Sequence, residues 1–210
     1  ASDAYEYYAA NFPKNPEAKD ALRNAAVFRQ GLGENDKAIK NYTEYLGLVG
    51  KDRKRAAEVF FSMGIIYERE EKWRTVVKHM DQYRRRYKGT KPDLYIESYT
   101  KSGNALMKMG RKYELKAQKM YSAAYKFYKS MKPKDQAALT TGMNAVAEAR
   151  FKMGEAIFRK FKRTKMKVFP FRSVKKFVKG MQKKVKAKTA VIAEAKAIYE
   201  EEPEEEEPEE

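Results

Sequence analysis

The chain has 210 residues, enough for one sizeable domain, and its 46 Lys and Arg residues outnumber its 29 acids, for a formal charge of +17. Hydrophobic residues make up 42% of the chain, which excludes wholesale disorder. The absence of cysteine excludes disulfides, thiolate metal sites and cysteine nucleophiles, and a single histidine, His79, is too few for a histidine-based metal site. Composition therefore predicts a folded, strongly basic protein.

The N-terminal part of the chain is predicted as helices separated by turn residues. Residues 1–13 have helical apolar spacing and end in Phe-Pro. Pro16 lies in the first turn of the next helix, and Gly31 and Gly33 end it. The dipeptide Asn35-Asp36 is predicted to cap the helix that follows.

The central part continues the same helical spacing, and no segment is predicted as a strand. The second pair of helices opens after a polar turn, and the third begins at a Pro in the first helical turn. The predicted ranges are 53–70, 73–87, from Pro92 to a break at Gly110, 112–131 and 135–167.

Two sets of residues recur along these helices. Small residues stand at a constant step of 39, and bulky residues recur on the helix that follows. The small set is Ala25, Gly64, Gly103 and Gly142. The bulky set is Tyr42, Met80 and Tyr121. Four residues before each bulky residue stands a smaller one, Ala38, Val76 and Ala117 respectively. Small residues let two helices approach closely while large ones fill the space around them, so the pattern predicts stacked helix hairpins.

The hairpin pattern resembles the tetratricopeptide repeat (TPR) family. The second repeat matches best, through Gly64, Tyr67, Val76, Met80 and Tyr83. The resemblance implies an all-α fold, a TPR-like right-handed superhelix of antiparallel helix hairpins over residues 1–168, in which 1–13 is half of a truncated repeat. A weaker resemblance, to periplasmic TPR proteins of deltaproteobacterial envelope and gliding-motility machinery, implies a periplasmic or cell-envelope location, with the cytoplasm as the alternative.

In the TPR family, the first helix of each pair lines a concave face that binds partners. Matching positions imply a partner-binding groove made of Arg29, Phe61, Ile65, Arg69, Asn104 and Lys108. The groove has an apolar centre and charged ends, which suits an amphipathic helix or an extended peptide. The alternative interpretation is a face that is solvated or covered by the C-terminal helix.

The most basic segment is 150–188, with 16 Lys or Arg residues and one acid, Glu155. Pro170 breaks it, and residues 172–199 are predicted as a basic amphipathic capping helix. Its basic patch is Lys175, Lys176, Lys179, Lys183, Lys184 and Lys186. Besides capping, the patch suits an anionic membrane surface or an acidic protein. Nucleic acid is disfavoured because no helix-turn-helix, zinc or RNP pattern accompanies the charge.

The acidic tail, residues 200–210, contains nine Glu and two Pro. One hypothesis makes it a tethered anion that lies on the basic segment, and the other makes it a spacer. Two further polar features are predicted at the surface. His79 is predicted as a surface or edge residue, and Arg84–Arg86 as solvated cations at a helix end.

The predicted apolar stripes contain no acid, base, nucleophile or metal ligands arranged as a site, so no catalytic residue, metal site or cofactor is predicted. The chain is interpreted as a non-enzymatic protein–protein interaction scaffold that binds a peptide or helix of a partner, within a larger cell-envelope complex. The alternative function is an electrostatic adaptor that uses residues 150–188 to bind an anionic membrane or nucleic acid. The sequence predicts no oligomeric state.

Overall fold

The structure, a computed structural model, describes residues 1–50, 52–164 and 174–199, and side chains in the last range from 177 to 198. These residues form α-helices and one 3-10 turn at Arg111–Tyr113, and none of them is in a strand. The helices are α1 Ser2–Asn11, α2 Ala18–Gly31, α3 Asn35–Leu48, α4 Arg53–Arg69, α5 Trp73–Arg86, α6 Pro92–Lys108, α7 Glu114–Lys129, α8 Pro133–Ala137, α9 Thr141–Arg163 and α10 Val174–Tyr199. The all-α prediction is confirmed for this part of the chain. The predicted break at Pro170 and the acidic tail lie outside it.

The helix predicted over 135–167 is wrong in one respect, because the structure places a turn between α8 and α9. The carboxylate of Asp93, at the start of α6, accepts hydrogen bonds from the backbone N–H groups of Thr140 and Gly142, both at 2.8 Å. These bonds satisfy donors that an α-helix leaves unpaired at its first turn. Asp93, which lies 47 positions before Thr140, therefore caps the beginning of α9.

The chain forms two compact units, Ala1–Val146 and Ala147–Glu210. The boundary between them lies inside α9, whereas the predicted domain limit was residue 168. Unit 1 contains α1 to α8, in which consecutive helices from α1 to α7 pack on each other. Unit 2 contains the rest of α9 and α10. None of the helices in the described ranges is both long and apolar enough to cross a membrane.

Within unit 1, the predicted glycines lie where two helices touch. A Cβ atom on Gly103 would lie 2.5 Å from Cε1 of Tyr121 and 2.8 Å from its Cζ. A Cβ atom on Gly64 would lie 3.0 Å from Cδ2 of His79 and closer still to the terminal methyl of Met80. The prediction that small residues let paired helices approach is therefore confirmed for α4 with α5 and for α6 with α7.

The other repeated positions follow the same pattern, with two exceptions. Residues that are at most 3% exposed include Ala25, Ala38, Tyr42, Tyr45, Val76, Tyr83, Ala117 and Ala124. Phe28, which lies three residues after Ala25 as Tyr67 does after Gly64, is one exception, because its side chain is 46% exposed and stacks on Tyr5. Gly142 also departs, since it is the second residue of α9 and a Cβ there would meet Asp93. Gly142 is therefore not the counterpart of Gly103, and the fourth repeat does not continue the 39-residue step.

Two apolar clusters lie in unit 1. The first brings together residues of α1, α2, α3 and α4, with Tyr42, Tyr45 and Ile66 among its most buried members. The second joins α4, α5 and α6, and Phe61 and Met80 belong to it. Because α4 contributes to both clusters, it links them.

Candidate functional site

Phe61, which was predicted to line a partner-binding groove, lies in the core. Its side chain is 5% exposed, and its ring packs edge-on against Tyr83 with the ring centroids 5.3 Å apart. The two rings join α4 to α5 inside the second cluster. Phe61 therefore stabilises this helix pair and offers no open surface to a partner.

Arg29, another predicted groove residue, is engaged by acids of its own chain. Its guanidinium is 6% exposed and pairs with Asp3 and Glu6 of α1 and with Glu34 before α3. The hydrogen bond from Arg29 lowers the pKa of Glu6 to about 2, although burial acts in the opposite direction. Asn41 donates a further hydrogen bond to Glu6 at 2.6 Å. Arg29 thus anchors α1 to α2 and α3.

A groove of about 740 Å³ lies beside this ion cluster in unit 1. Side chains from α1, α2 and α3 line it, among them Leu22, Arg29 and Leu48. Leu22 and Arg29 face the groove from α2, which is the helix predicted to line the binding face. The charge of Arg29 is paired with the acids around it, while Lys37 and Lys40 also line the groove.

Ile65, Arg69, Asn104 and Lys108 are the remaining predicted groove residues. Ile65 is half-buried beside the second cluster, whereas Arg69 and Lys108 are exposed at the last residues of α4 and α6. The ammonium of Lys108 lies 6.0 Å from the centroid of the Trp73 ring. Asn104 accepts a hydrogen bond from the Tyr121 hydroxyl at 2.8 Å. Arg69 and Lys108 are therefore the predicted groove residues whose side chains face solvent.

Ion pairs hold α4 beside α6, the two helices that carry these residues. Lys101 of α6 lies 2.7 Å from Glu68 of α4 and 3.6 Å from Glu97 of its own helix. Lys91, just before α6, pairs with Glu58 of α4. The structure thus brings together the first helices of the second and third hairpins.

The predicted basic patch is partly described. Lys179, Lys183 and Lys186 are exposed on α10, and Lys184 is half-buried. The side chains of Lys175 and Lys176 lie outside the described residues. The four described lysines belong to unit 2, so the patch and the predicted groove lie on different units.

His79 was predicted at the surface, and that prediction is wrong. The side chain is 7% exposed, its ring stacks on Phe60 with the centroids 4.1 Å apart, and Nε2 lies 2.6 Å from the Phe60 carbonyl oxygen. Burial lowers the pKa of His79, and the hydrogen bond to Phe60 opposes this only in part. Val76, His79 and Tyr83 share one helical face at spacings of three and four, and this signal in the sequence indicates burial.

Arg84 was also predicted to be solvated and is instead buried, with 8% exposure. Its guanidinium donates hydrogen bonds to the Ser98 carbonyl at 2.8 Å and to the Ser102 hydroxyl at 2.9 Å. The same group lies 4.5 Å from the centroid of the Tyr99 ring. Burial lowers the pKa of Arg84. Arg84 therefore joins α5 to α6, and of the predicted cluster only Arg85 and Arg86 are exposed.

The buried imidazole of His79 predicts a loss of stability in mild acid. Its pKa is lower in the folded protein than in the unfolded chain, so protons bind more tightly to the unfolded chain. We expect the free energy of unfolding to fall as the pH drops below about 6.5. Urea unfolding of the wild type and of His79→Gln at pH 7.5 and pH 5.5 measures this.

The His79→Gln variant places an amide nitrogen where Nε2 lies, and it does not titrate. The difference between the two proteins isolates His79 from other groups, such as Glu97, whose pKa burial raises. Raising the pKa of Glu97 stabilises the folded protein as the pH falls, which opposes the effect of His79. Equal pH dependence of the two proteins would show that His79 is not responsible.

No known protein family matches this sequence, and no curated protein is significantly similar to it. In the ranges that the structure describes, no three His, Asp or Glu side chains form a group that could hold a metal ion. The resemblance to the TPR family stays a prediction.

Proposed function

We propose that this protein is a non-enzymatic scaffold with a TPR-like right-handed superhelix, which binds a peptide or helix of a protein partner on the face formed by α4 and α6. The observation that supports it most is the close packing of Gly64 and Gly103 against the next helix. Such repeated hairpins present their first helices side by side and so build an extended binding surface.

The proposed contact residues are those predicted groove residues whose side chains are open to solvent. Arg69 and Lys108 are exposed at the ends of adjoining helices, and Ile65 supplies half-buried apolar surface next to them. Phe61 and Arg29 support the surface from within rather than touching the partner. The proposal includes membership of a larger periplasmic or cell-envelope complex, which rests on the family resemblance alone.

Affinity capture followed by mass spectrometry tests this function. We expect the wild type to retain a protein partner at high salt, because apolar contacts are not screened by ions. At low salt, where charges are little screened, the double variant Arg69→Glu and Lys108→Glu should capture that partner more weakly than the wild type. Lys134→Glu, which changes an exposed lysine on α8, is the matched control and should retain it.

Two results would contradict the proposed function. Equal capture by the wild type and the double variant would exclude the α4–α6 face as the binding site. If every ligand of the wild type is lost at high salt, or if bound RNA is found, the alternative electrostatic adaptor of residues 150–188 is favoured instead. The Phe61→Ser variant is unsuitable here because removal of a core ring changes stability as well as binding.

A further inference from the structure

Unit 2 carries an open apolar trough between α9 and α10. It holds about 680 Å³, and we call it the α9–α10 trough. Its main lining residues are Phe151, Gly154, Phe158, Phe161, Ile192 and Ala195. Phe151 is 58% exposed, Phe158 is 56% exposed and Ile192 is 47% exposed. Large aromatic and aliphatic side chains thus face solvent in one contiguous place, which is typical of an interaction site.

The two helices that form the trough are held together by their own contacts. The Arg150 guanidinium donates a hydrogen bond to the Ile198 carbonyl at 2.8 Å. Farther along, Lys160 and Glu194 form an ion pair at 2.5 Å, and Lys188 lies 4.0 Å from the centroid of the Phe161 ring. The trough is therefore bounded by a helix pair that is fastened at several points.

The shape of the trough suits a third helix. Gly154 and Ala195, one on each helix, are small, while larger side chains rise beside them. Residues Phe151, Gly154 and Phe158 are three and four positions apart, so they form one ridge of α9. Helices pack by laying the ridge of one into the groove of another, and the described residues leave the groove between α9 and α10 open to a further ridge.

The helices around the trough are basic, although its rim includes one acid. Residues 147–164 and 174–199 contain 14 Lys or Arg and three Glu, of which Glu155 lines the trough. Lys162 lies 4.7 Å from the centroid of the Phe158 ring, and Lys196 lines the trough itself. A partner whose polar face is acidic would meet complementary charge on this rim, which speeds association and fixes orientation.

We propose that the α9–α10 trough is a second docking site, which binds an acidic amphipathic helix of a protein partner. The apolar face of that helix fills the trough, and its carboxylates face the surrounding lysines. The site lies in unit 2, so it is separate from the face proposed on α4 and α6. The acidic tail of this chain is a poor occupant, because residues 200–210 contain only Glu and Pro.

The concave shape of the trough favours a helix over a membrane surface. A trough of about 680 Å³ has room for a row of apolar side chains from one helix. The phenylalanine rings line the hollow, and a helix that enters it removes them from water. We therefore favour the helix and treat the membrane as an outcome of the experiment.

Fluorescence anisotropy with a synthetic peptide tests the proposal. The probe is a labelled helix of about five turns, with Leu on one face and Glu and Ala elsewhere. Its control has the same composition in an order that destroys the apolar face. We expect the full chain to bind the first peptide at least tenfold more tightly than the second, because only the first can bury a continuous apolar face.

Three variants of the protein locate the binding. Phe158→Ser with Ile192→Ser should weaken binding of the amphipathic peptide at least tenfold, since both side chains line the trough. Lys162→Glu reverses a charge that contacts Phe158 of its own helix, and it should weaken the acidic peptide while strengthening a peptide with Lys in place of Glu. Leu115→Ser, at a residue that is 79% exposed on α7 of unit 1, should bind as the wild type does.

The outcomes decide between the alternatives. Equal binding of the two peptides would show that charge alone attracts them, and this would overturn the proposal. Unchanged affinity in the Phe158 and Ile192 variant, with its helical circular dichroism intact, would overturn it too. If that variant unfolds, the charge-reversal variant decides. In a further outcome, the wild type binds no peptide but binds vesicles of phosphatidylglycerol and phosphatidylcholine. If the Phe158 and Ile192 variant and the charge-reversal variant then lose vesicle binding, the trough is assigned to a membrane, and this too would overturn the proposal.

Discussion

Replacing Phe61 with alanine should lower the free energy of unfolding by about 3–5 kcal/mol. The Phe61 ring is 5% exposed and packs edge-on against Tyr83 in the cluster that joins α4, α5 and α6. Its removal loses the free energy of burying the ring and leaves a cavity that the surrounding helices can close only in part. Denaturant unfolding followed by circular dichroism measures the change.

The matched control for Phe61 is another phenylalanine of unit 1. Phe12 is 53% exposed at the end of α1, and Phe12→Ala should change the free energy of unfolding by about 1 kcal/mol or less. If Phe61→Ala costs no more than Phe12→Ala, then Phe61 is not in the core. In that case the ring would be open to a partner, as the resemblance to the TPR family implied.

The Gly103→Ala substitution should destabilise the protein by about 1–3 kcal/mol. The added methyl group would lie 2.5 Å from Cε1 of Tyr121, a rigid and fully buried ring. The Tyr121 hydroxyl also donates a hydrogen bond to Asn104, so rotation of the ring would break that bond. Alanine is the better helix former, and the clash must outweigh this advantage.

Gly47→Ala is the control for Gly103→Ala. Gly47 lies in α3, and a Cβ atom there would meet nothing within 4 Å. The alanine variant should therefore stabilise the protein by about 0.5–1 kcal/mol, through helix propensity alone. Gly64→Ala should fall between the two, because the closest atom to its new methyl is the flexible end of Met80. Destabilisation by Gly47→Ala equal to that by Gly103→Ala would refute the close-approach explanation.

The hairpins of unit 1 could be predicted because their signal is local and repeated. Small and bulky residues recur at helical spacing, and the structure buries Ala38, Val76 and Ala117 and places Met80 and Tyr121 against the glycines. Most helix limits followed from Gly, Pro and polar turn residues near the ends. Because the same spacing occurs three times, the helix pairs can be predicted without knowing the contacts between distant parts of the chain.

The buried polar residues were harder to predict, because their partners come from other helices. Arg29 is held by acids of α1 that lie more than 20 positions away, and Arg84 bonds to Ser98 and Ser102 of α6. A charged side chain is normally assigned to the surface because burial without a partner is costly. The helical spacing contains a signal for Arg29 that was not used, since Arg29 follows Ala25 and Ala26 on the buried face of α2.

The predicted groove residues show the same difficulty. Matching family positions implied a face made of residues on α2, α4 and α6, but they carry no information on the depth of each side chain. Phe61 is directed into the core and Arg69 into solvent, although they are eight positions apart on α4. The exposed trough of unit 2 was not predicted, because its apolar stripe was interpreted as the contact of a capping helix.

The central claim is that small residues on one helix receive the bulky residue of the next, and a double-mutant cycle at Gly103 and Tyr121 tests it most directly. The cycle compares Gly103→Ala in the wild type and in a Tyr121→Leu background. We predict that the cost of Gly103→Ala falls by at least about 1 kcal/mol once the ring is removed. The same cost in both backgrounds would contradict the claim, because the methyl group and the ring would then not be in contact.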